Sequence, residues 1–163
     1  MAAVFGTPYH VGKCESYERL AYDAVGIPRN LQGDAVQAEI CGKLFDLRHD
    51  IQGSGSPTGG DVSLRKEVVT DELWVGQHDG RKADVYVRGH VHYGRCLMDA
   101  AGWYSATVPS LQLWTRFGAR RVHGRVIHWG VWVVDIDSEG DMTWRKVVVK
   151  LSSFRGHKVP TMV

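Results

Sequence analysis

The stretch Asp84-Val85-Tyr86-Val87-Arg88-Gly89-His90-Val91-His92-Tyr93-Gly94 decides how the chain is read. Its first half is rich in β-branched and aromatic residues and stops at a glycine, which predicts a short strand over 84–88. Its second half sets two histidines two residues apart between glycines. In extended backbone the side chains at i and i+2 share a face, so two imidazoles can present nitrogens to one divalent ion or to two neighbouring ions. Glycine on each side lets the backbone turn sharply and approach a ligand closely. A His-x-His at a strand end is equally compatible with a structural pair, so the rest of the sequence has to arbitrate.

Working outward, two more histidines follow predicted strand ends. Val36 to Cys41 and Leu44 to His49 flank Gly42-Lys43 and read as a β-hairpin that ends at His49. Ala2 to Phe5 reads as a strand closed by Gly6-Thr7-Pro8, with His10 just beyond it. Neutral imidazoles suit borderline divalent metals, and open α/β sheets place their ligands where strand ends converge. The spacing therefore favours a metal site. His78, His123, His128 and His157 fall in a polar loop, a basic loop, an apolar strand and the tail, and are assigned no role.

The remaining punctuation suits a loop-rich α/β or α+β frame. Glu15 to Val25 has helical spacing and is stopped by Gly26-Ile27-Pro28; Ser63 to Val75 reads as a second helix, weakened by the adjacent Val68 and Val69. Ser105 to Val108 is a short strand, and Arg125 to Asp137 with Met142 to Leu151 forms a C-terminal hairpin about Ser138-Glu139-Gly140-Asp141. The segment 52–60 is too rich in Gly, Ser and Pro for regular structure, and its position after His49 suits a substrate-side loop.

The 163 residues are 44% apolar and 23% charged, enough for a single core, and the expected organisation is one domain over 1–151 with a basic tail over 152–163. A net charge of +2 excludes a strong overall field toward nucleic acid or membrane. There is no apolar run of spanning length and no leader-like start, so a cytoplasmic protein without a membrane partner is expected. Cys14, Cys41 and Cys96 are odd in number and far apart, which argues for reduced thiols and against a zinc clip.

Together these residues resemble a known family. Gly89-His90-Val91-His92 looks like the closing GHxH motif of the calcineurin-like metallophosphoesterases, with His49 placed as the single histidine of the preceding motif. Gly6-Thr7-Pro8-Tyr9-His10-Val11-Gly12 is similar to a variant of that family's GNHD motif found in phage and prophage members, and Val108-Pro109-Ser110-Leu111-Gln112-Leu113-Trp114 resembles the segment those members carry after GHxH. The resemblance implies a mixed-sheet portion of the phosphoesterase sandwich and metal-dependent hydrolysis of a phosphoester. It also implies that His49 and His90 bind one metal, that His92 binds the other, and that His10 lies near the substrate phosphate; Thr7 stands about where the family has its metal-binding asparagine, a role open between Thr7 and His10. Two divalent ions, drawn from Mn, Fe, Zn, Ni or Mg, serve the intact family.

The family's DxH and GDxxD motifs are not found ahead of Ala2, and Asp46, Asp50, Asp84 and Asp99 do not stand in their place. The chain therefore resembles the C-terminal half of such an enzyme. One ion or none is expected here, with little catalysis unless a partner chain carrying the missing motifs completes the site; a homo-oligomer is the other assembly expected. Arg116, Arg120, Arg121 and Arg125 form the densest basic cluster, and Arg116 and Arg120 are its candidates for phosphate contact. The rival reading is a non-catalytic piece or a nucleic-acid-binding or interaction module using that cluster.

Overall fold

The computed structural model describes residues 1–6, 16–51, 59–78, 80–111 and 127–149. Its centre is a hairpin in which β3 (Ala35–Ile40) pairs antiparallel with β4 (Lys43–Arg48), Ile40 opposite Lys43. The turn is Cys41-Gly42, at φ 49° and 76°. Two consecutive positive φ values give the two-residue turn whose twist matches that of the strands. The predicted connection, Gly42-Lys43, is thus displaced by one residue, because Gly42 takes the second left-handed position and Lys43 enters the ladder.

Helix α2 (Gly60–His78) follows, three residues longer at each end than the predicted 63–75. Asp61 lies in its first turn, where a carboxylate faces the positive end of the helix dipole. Gly60, Ser63, Leu64, Glu67 and Val68 form its buried stripe at helical spacing. Val68 packs with Ala83, Tyr86 and Trp103, and this burial outweighs the small propensity cost of a β-branched residue in a helix. Leu64 joins Ile51, Val91 and Tyr93 in a second buried cluster.

The chain then enters β5 (Val85–Arg88), parallel to β4, with Phe45 opposite Val85 and Arg48 opposite Arg88. Strand β7 (Tyr104–Thr107) is parallel to β5, and β6 (Arg95–Met98) closes the edge antiparallel to β7, so the sheet runs β3-β4-β5-β7-β6. The fold is therefore a mixed α/β structure on a mixed sheet, as the sequence predicted. Strand β6 was not predicted. Its four residues are joined to β7 by an Asp99 turn in which the Ala101 N–H donates to the Asp99 carboxylate at 3.0 Å and Gly102 takes φ 83°.

The expected C-terminal hairpin is present as β8 (Trp129–Ile136) and β9 (Met142–Val149). A lone hairpin is marginal in water, and this one is anchored to the sheet. Trp132 Nε1 donates to the Thr107 carbonyl at 2.8 Å, and the Trp144 ring stacks on Tyr104 with centroids 5.7 Å apart. At the other end of the chain β1 (Ala3–Val4) pairs parallel with β2 (Gln32–Gly33). Helix α1 (Ser16–Ala24) stops where Gly26 takes φ 76° and the Ile27 N–H reaches back to the Tyr22 carbonyl. No described helix is long and apolar enough to cross a membrane. Of the predicted loop over 52–60, residues 52–58 lie outside the described residues and Gly60 already belongs to α2; the basic tail over 152–163 lies outside them as well.

Candidate functional site

Parallel pairing of β4 and β5 brings both strand exits to one edge of the sheet. Beyond the Arg48–Arg88 pair the Gly89 N–H donates to the Arg48 carbonyl at 3.0 Å, so the two chains leave side by side. His49 and His90, 41 positions apart in sequence, then meet with Nε2 and Nδ1 at 3.2 Å. Their rings stand edge to face, with centroids 5.3 Å apart and planes at 77°. The carboxyl end of parallel strands is where open α/β sheets hold ligands.

Gly89 is required by this meeting. A Cβ there would lie 2.9 Å from the His49 carbonyl oxygen and 3.3 Å from His49 Nδ1. The next residues depart from the extended backbone predicted for the motif: His90 has φ 67° and His92 φ 60°. The Val91 N–H donates to the Gly89 carbonyl at 2.8 Å, closing a three-residue turn centred on His90. Each left-handed non-glycine residue costs on the order of 1–3 kcal/mol and persists where its surroundings over-determine it. Part of that constraint is burial of the alternate residues, since Val91 and Tyr93 enter the core while His90 stays exposed.

The rest comes from the C-terminal hairpin, through a residue the sequence reading left unassigned. The His128 N–H donates to the His92 carbonyl at 3.0 Å, and His128 Nδ1 accepts the Gly94 N–H at 3.0 Å. Lys146 Nζ donates to the Gly94 carbonyl at 3.0 Å, so both polar groups of that residue are held by side chains, one from His128 just ahead of β8 and one from β9. Burial and the Lys146 ammonium hold His128 below the ordinary imidazole range. Beside this contact lies a recess of about 480 Å³ lined by Cys96, His128, Trp132 and Lys146 among others. Burial pushes the Cys96 thiol up to about 11, which leaves it protonated and poorly nucleophilic at neutral pH.

The 3.2 Å contact is a hydrogen bond between the two rings, and the same separation matches that of two nitrogens on one divalent ion. Tetrahedral zinc with Zn–N bonds of about 2.0–2.1 Å needs its nitrogens about 3.3 Å apart. The pair can serve as two ligands. No group of three or more His, Cys, Asp or Glu side chains stands together among the described residues, so His92 does not complete a three-ligand cluster with them there. Asp46 is ion-paired with Arg88, while Asp84 and Asp99 stand at the opposite end of the parallel strands, where Asp84 accepts the Leu44 N–H at 2.7 Å and Asp99 builds its turn. Thr7, His10, Arg116 and Arg120 lie outside the described residues. His78, predicted in a loop, ends α2 instead, stacked on Trp74 with Nδ1 2.9 Å from the Trp74 carbonyl.

No protein-family model matches the sequence, and no curated protein sequence matches it. Among solved structures, the Thermotoga maritima protein TM1076 is similar over 71% of this chain and 54% of its own, at 16% identity and a TM-score of 0.36. Vps29 of Entamoeba histolytica, in a complex with zinc, is similar over 75% of this chain and 67% of its own, at 11% identity and a TM-score of 0.41. A single mutant of the same Vps29 gives 77%, 66%, 12% and 0.42. This chain thus spans about half of TM1076 and about two thirds of Vps29.

Proposed function

We propose that this chain binds a divalent metal ion through His49 and His90 and that its chemistry is phosphoester hydrolysis of the calcineurin-like type. The observation that carries the reading is the 3.2 Å approach of the two imidazole nitrogens at the ends of adjacent parallel strands. The motif Gly89-His90-Val91-His92 and its spacing from His49 support the choice of chemistry over a merely structural histidine pair.

A divalent ion, when bound, supplies Lewis-acid polarisation of a phosphoryl oxygen and hydroxide at neutral pH. His49 and His90 supply neutral nitrogens, which hold an ion without offsetting its charge. On this reading His92 takes a second ion, Thr7 or His10 takes the place of the family's metal-binding asparagine, His10 lies near the phosphate, and Arg116 and Arg120 contact the substrate, a nucleic-acid phosphodiester included. Paired aspartates like those of the family's first two motifs would offset two ions, and without a source of them the site is weakly active or silent.

The test is hydrolysis of bis-p-nitrophenyl phosphate with added manganese, with metal content by mass spectrometry, for wild type and His90→Ala. Bound metal that disappears in the variant supports the metal-binding step, and turnover that disappears with it supports the hydrolase. Equal metal content in both proteins sinks the reading.

A further inference from the structure

Beneath the two histidines lies a buried group of charges that metal binding does not use. Arg88, the last residue of β5, is 1% exposed, Asp46 on β4 is 1% and Glu67 on α2 is 7%. Arg88 Nη1 reaches Asp46 Oδ1 at 2.7 Å, while Nε and Nη2 each reach Glu67 Oε2 at 3.0 Å. Nη1 also donates to the Asp46 carbonyl at 2.9 Å. Arg48 brings a second guanidinium to Asp46 Oδ2 at 3.0 Å. One arginine thereby ties together two strands and the helix that covers them.

Such a cluster is a poor source of stability, because desolvation of buried ions offsets their attraction and well-packed apolar residues often do as well. What a guanidinium fork adds is direction, since each bond fixes a distance and an angle. The place where that direction is applied is informative. Arg88 lies opposite Arg48 in the ladder, and the next residues on the two chains are Gly89 and His49. His90 follows in a left-handed conformation that needs restraint from both sides. His128 and Lys146 grip the far side of the motif, and Arg88 stands at its entry.

We propose that Arg88, clamped between Asp46 and Glu67, is a positioning residue for the metal-binding pair. It locks β4, β5 and α2 where the chains leave the sheet, and so holds His49 Nε2 and His90 Nδ1 at a chelating separation before an ion arrives. This rests on the metal-binding reading given above. Donors fixed in advance bind an ion without the cost of being ordered by it.

The experiment is zinc titration of the whole chain by calorimetry and cobalt(II) absorption, with thermal melts, on Arg88→Lys, Glu67→Gln, His49→Ala and His90→Ala. Arg88→Lys keeps the charge and loses the fork; Glu67→Gln keeps the shape and loses one charge. Both are expected to melt cooperatively, to bind zinc roughly 10- to 100-fold more weakly, and to shift the cobalt band, as outer groups that orient ligands do. Unchanged zinc affinity and an unchanged cobalt band in these two, with binding lost in the histidine variants, overturn the positioning role alone. Loss of the fold in both assigns the cluster to stability and overturns it as well. Zinc binding that survives both histidine substitutions removes the metal reading itself, and this inference with it.

Discussion

The carbonyl oxygen of His49 lies 2.9 Å from the point where a side chain on Gly89 would begin. No side chain fits there without moving the strand exit that carries one of the two facing imidazoles. Gly89→Ala is expected to destabilise the fold by about 1–3 kcal/mol, the usual range for overpacking, and to weaken zinc binding as His49 is pushed away. Urea unfolding and zinc calorimetry on the same samples check both.

Zinc should stabilise the folded chain through His49 and His90. At a free concentration a hundredfold above the dissociation constant, linkage gives about 2.7 kcal/mol, read as a rise in melting temperature that a chelator reverses. His90→Ala should melt at one temperature with and without zinc. An equal rise in that variant would place the ion elsewhere.

His128 ties stability to pH. Its folded pKa lies below the ordinary 6.5, because burial and the Lys146 ammonium disfavour the charged ring. The unfolded chain therefore binds the proton first, and the contribution to stability is complete above pH 6.5 and is lost as pH falls through the lowered folded value. Protonation also removes Nδ1 as acceptor for the Gly94 N–H. Melts from pH 8 to 5 should fall less steeply in His128→Asn than in wild type; parallel curves would assign the acid loss to other groups.

Gly130 sets the register of the C-terminal hairpin. A Cβ at that position would run into the Val147 carbonyl and would lie 2.9 Å from the Val148 Cα across the ladder. Gly130→Ala is expected to cost about 1–3 kcal/mol and to loosen the bonds from His128 and Lys146 to Gly94. Amide exchange should show the Gly94 N–H losing protection ahead of the β4–β5 ladder.

Leu64 is fully buried against Ile51, Val91 and Tyr93. Leu64→Ala should cost about 2–5 kcal/mol, the range for a buried leucine truncated to a methyl group. Because Val91 and Tyr93 flank His92 in sequence, zinc affinity should fall along with the unfolding midpoint in urea.

Local pattern was enough to read much of this molecule. Strands with β-branched and aromatic runs, such as Val85–Arg88 and the C-terminal pair, stand near where the residues predict them, and the strand-end positions of His49 and His90 followed from them. Strand β6 escaped because Arg95-Cys96-Leu97-Met98 has no alternation, and it pairs only because the Asp99 turn folds it onto β7. The left-handed histidines escaped because nothing in the residue type announces a positive φ. His128 escaped for another reason: the N–H it accepts belongs to Gly94, 34 positions away, and is reached only when β8 docks on the sheet. Arg88 read as the polar end of a strand, and only the helix that covers β5 turns it into a buried residue with two carboxylate partners.

The parallel pairing of β4 and β5 also sets when the histidine pair can exist. Between Arg48 and Val85 the chain must complete a long crossover that includes all of α2 before the two strands can align. Closing a loop of that length spends entropy before any ladder bond is made, and such pairings form slowly. A nascent chain that ended before β5 would carry His49 with no His90 beside it. Chelation by both imidazoles is thus a property acquired at the close of folding, and the appearance of tight zinc binding during refolding would time the moment at which β5 takes its place.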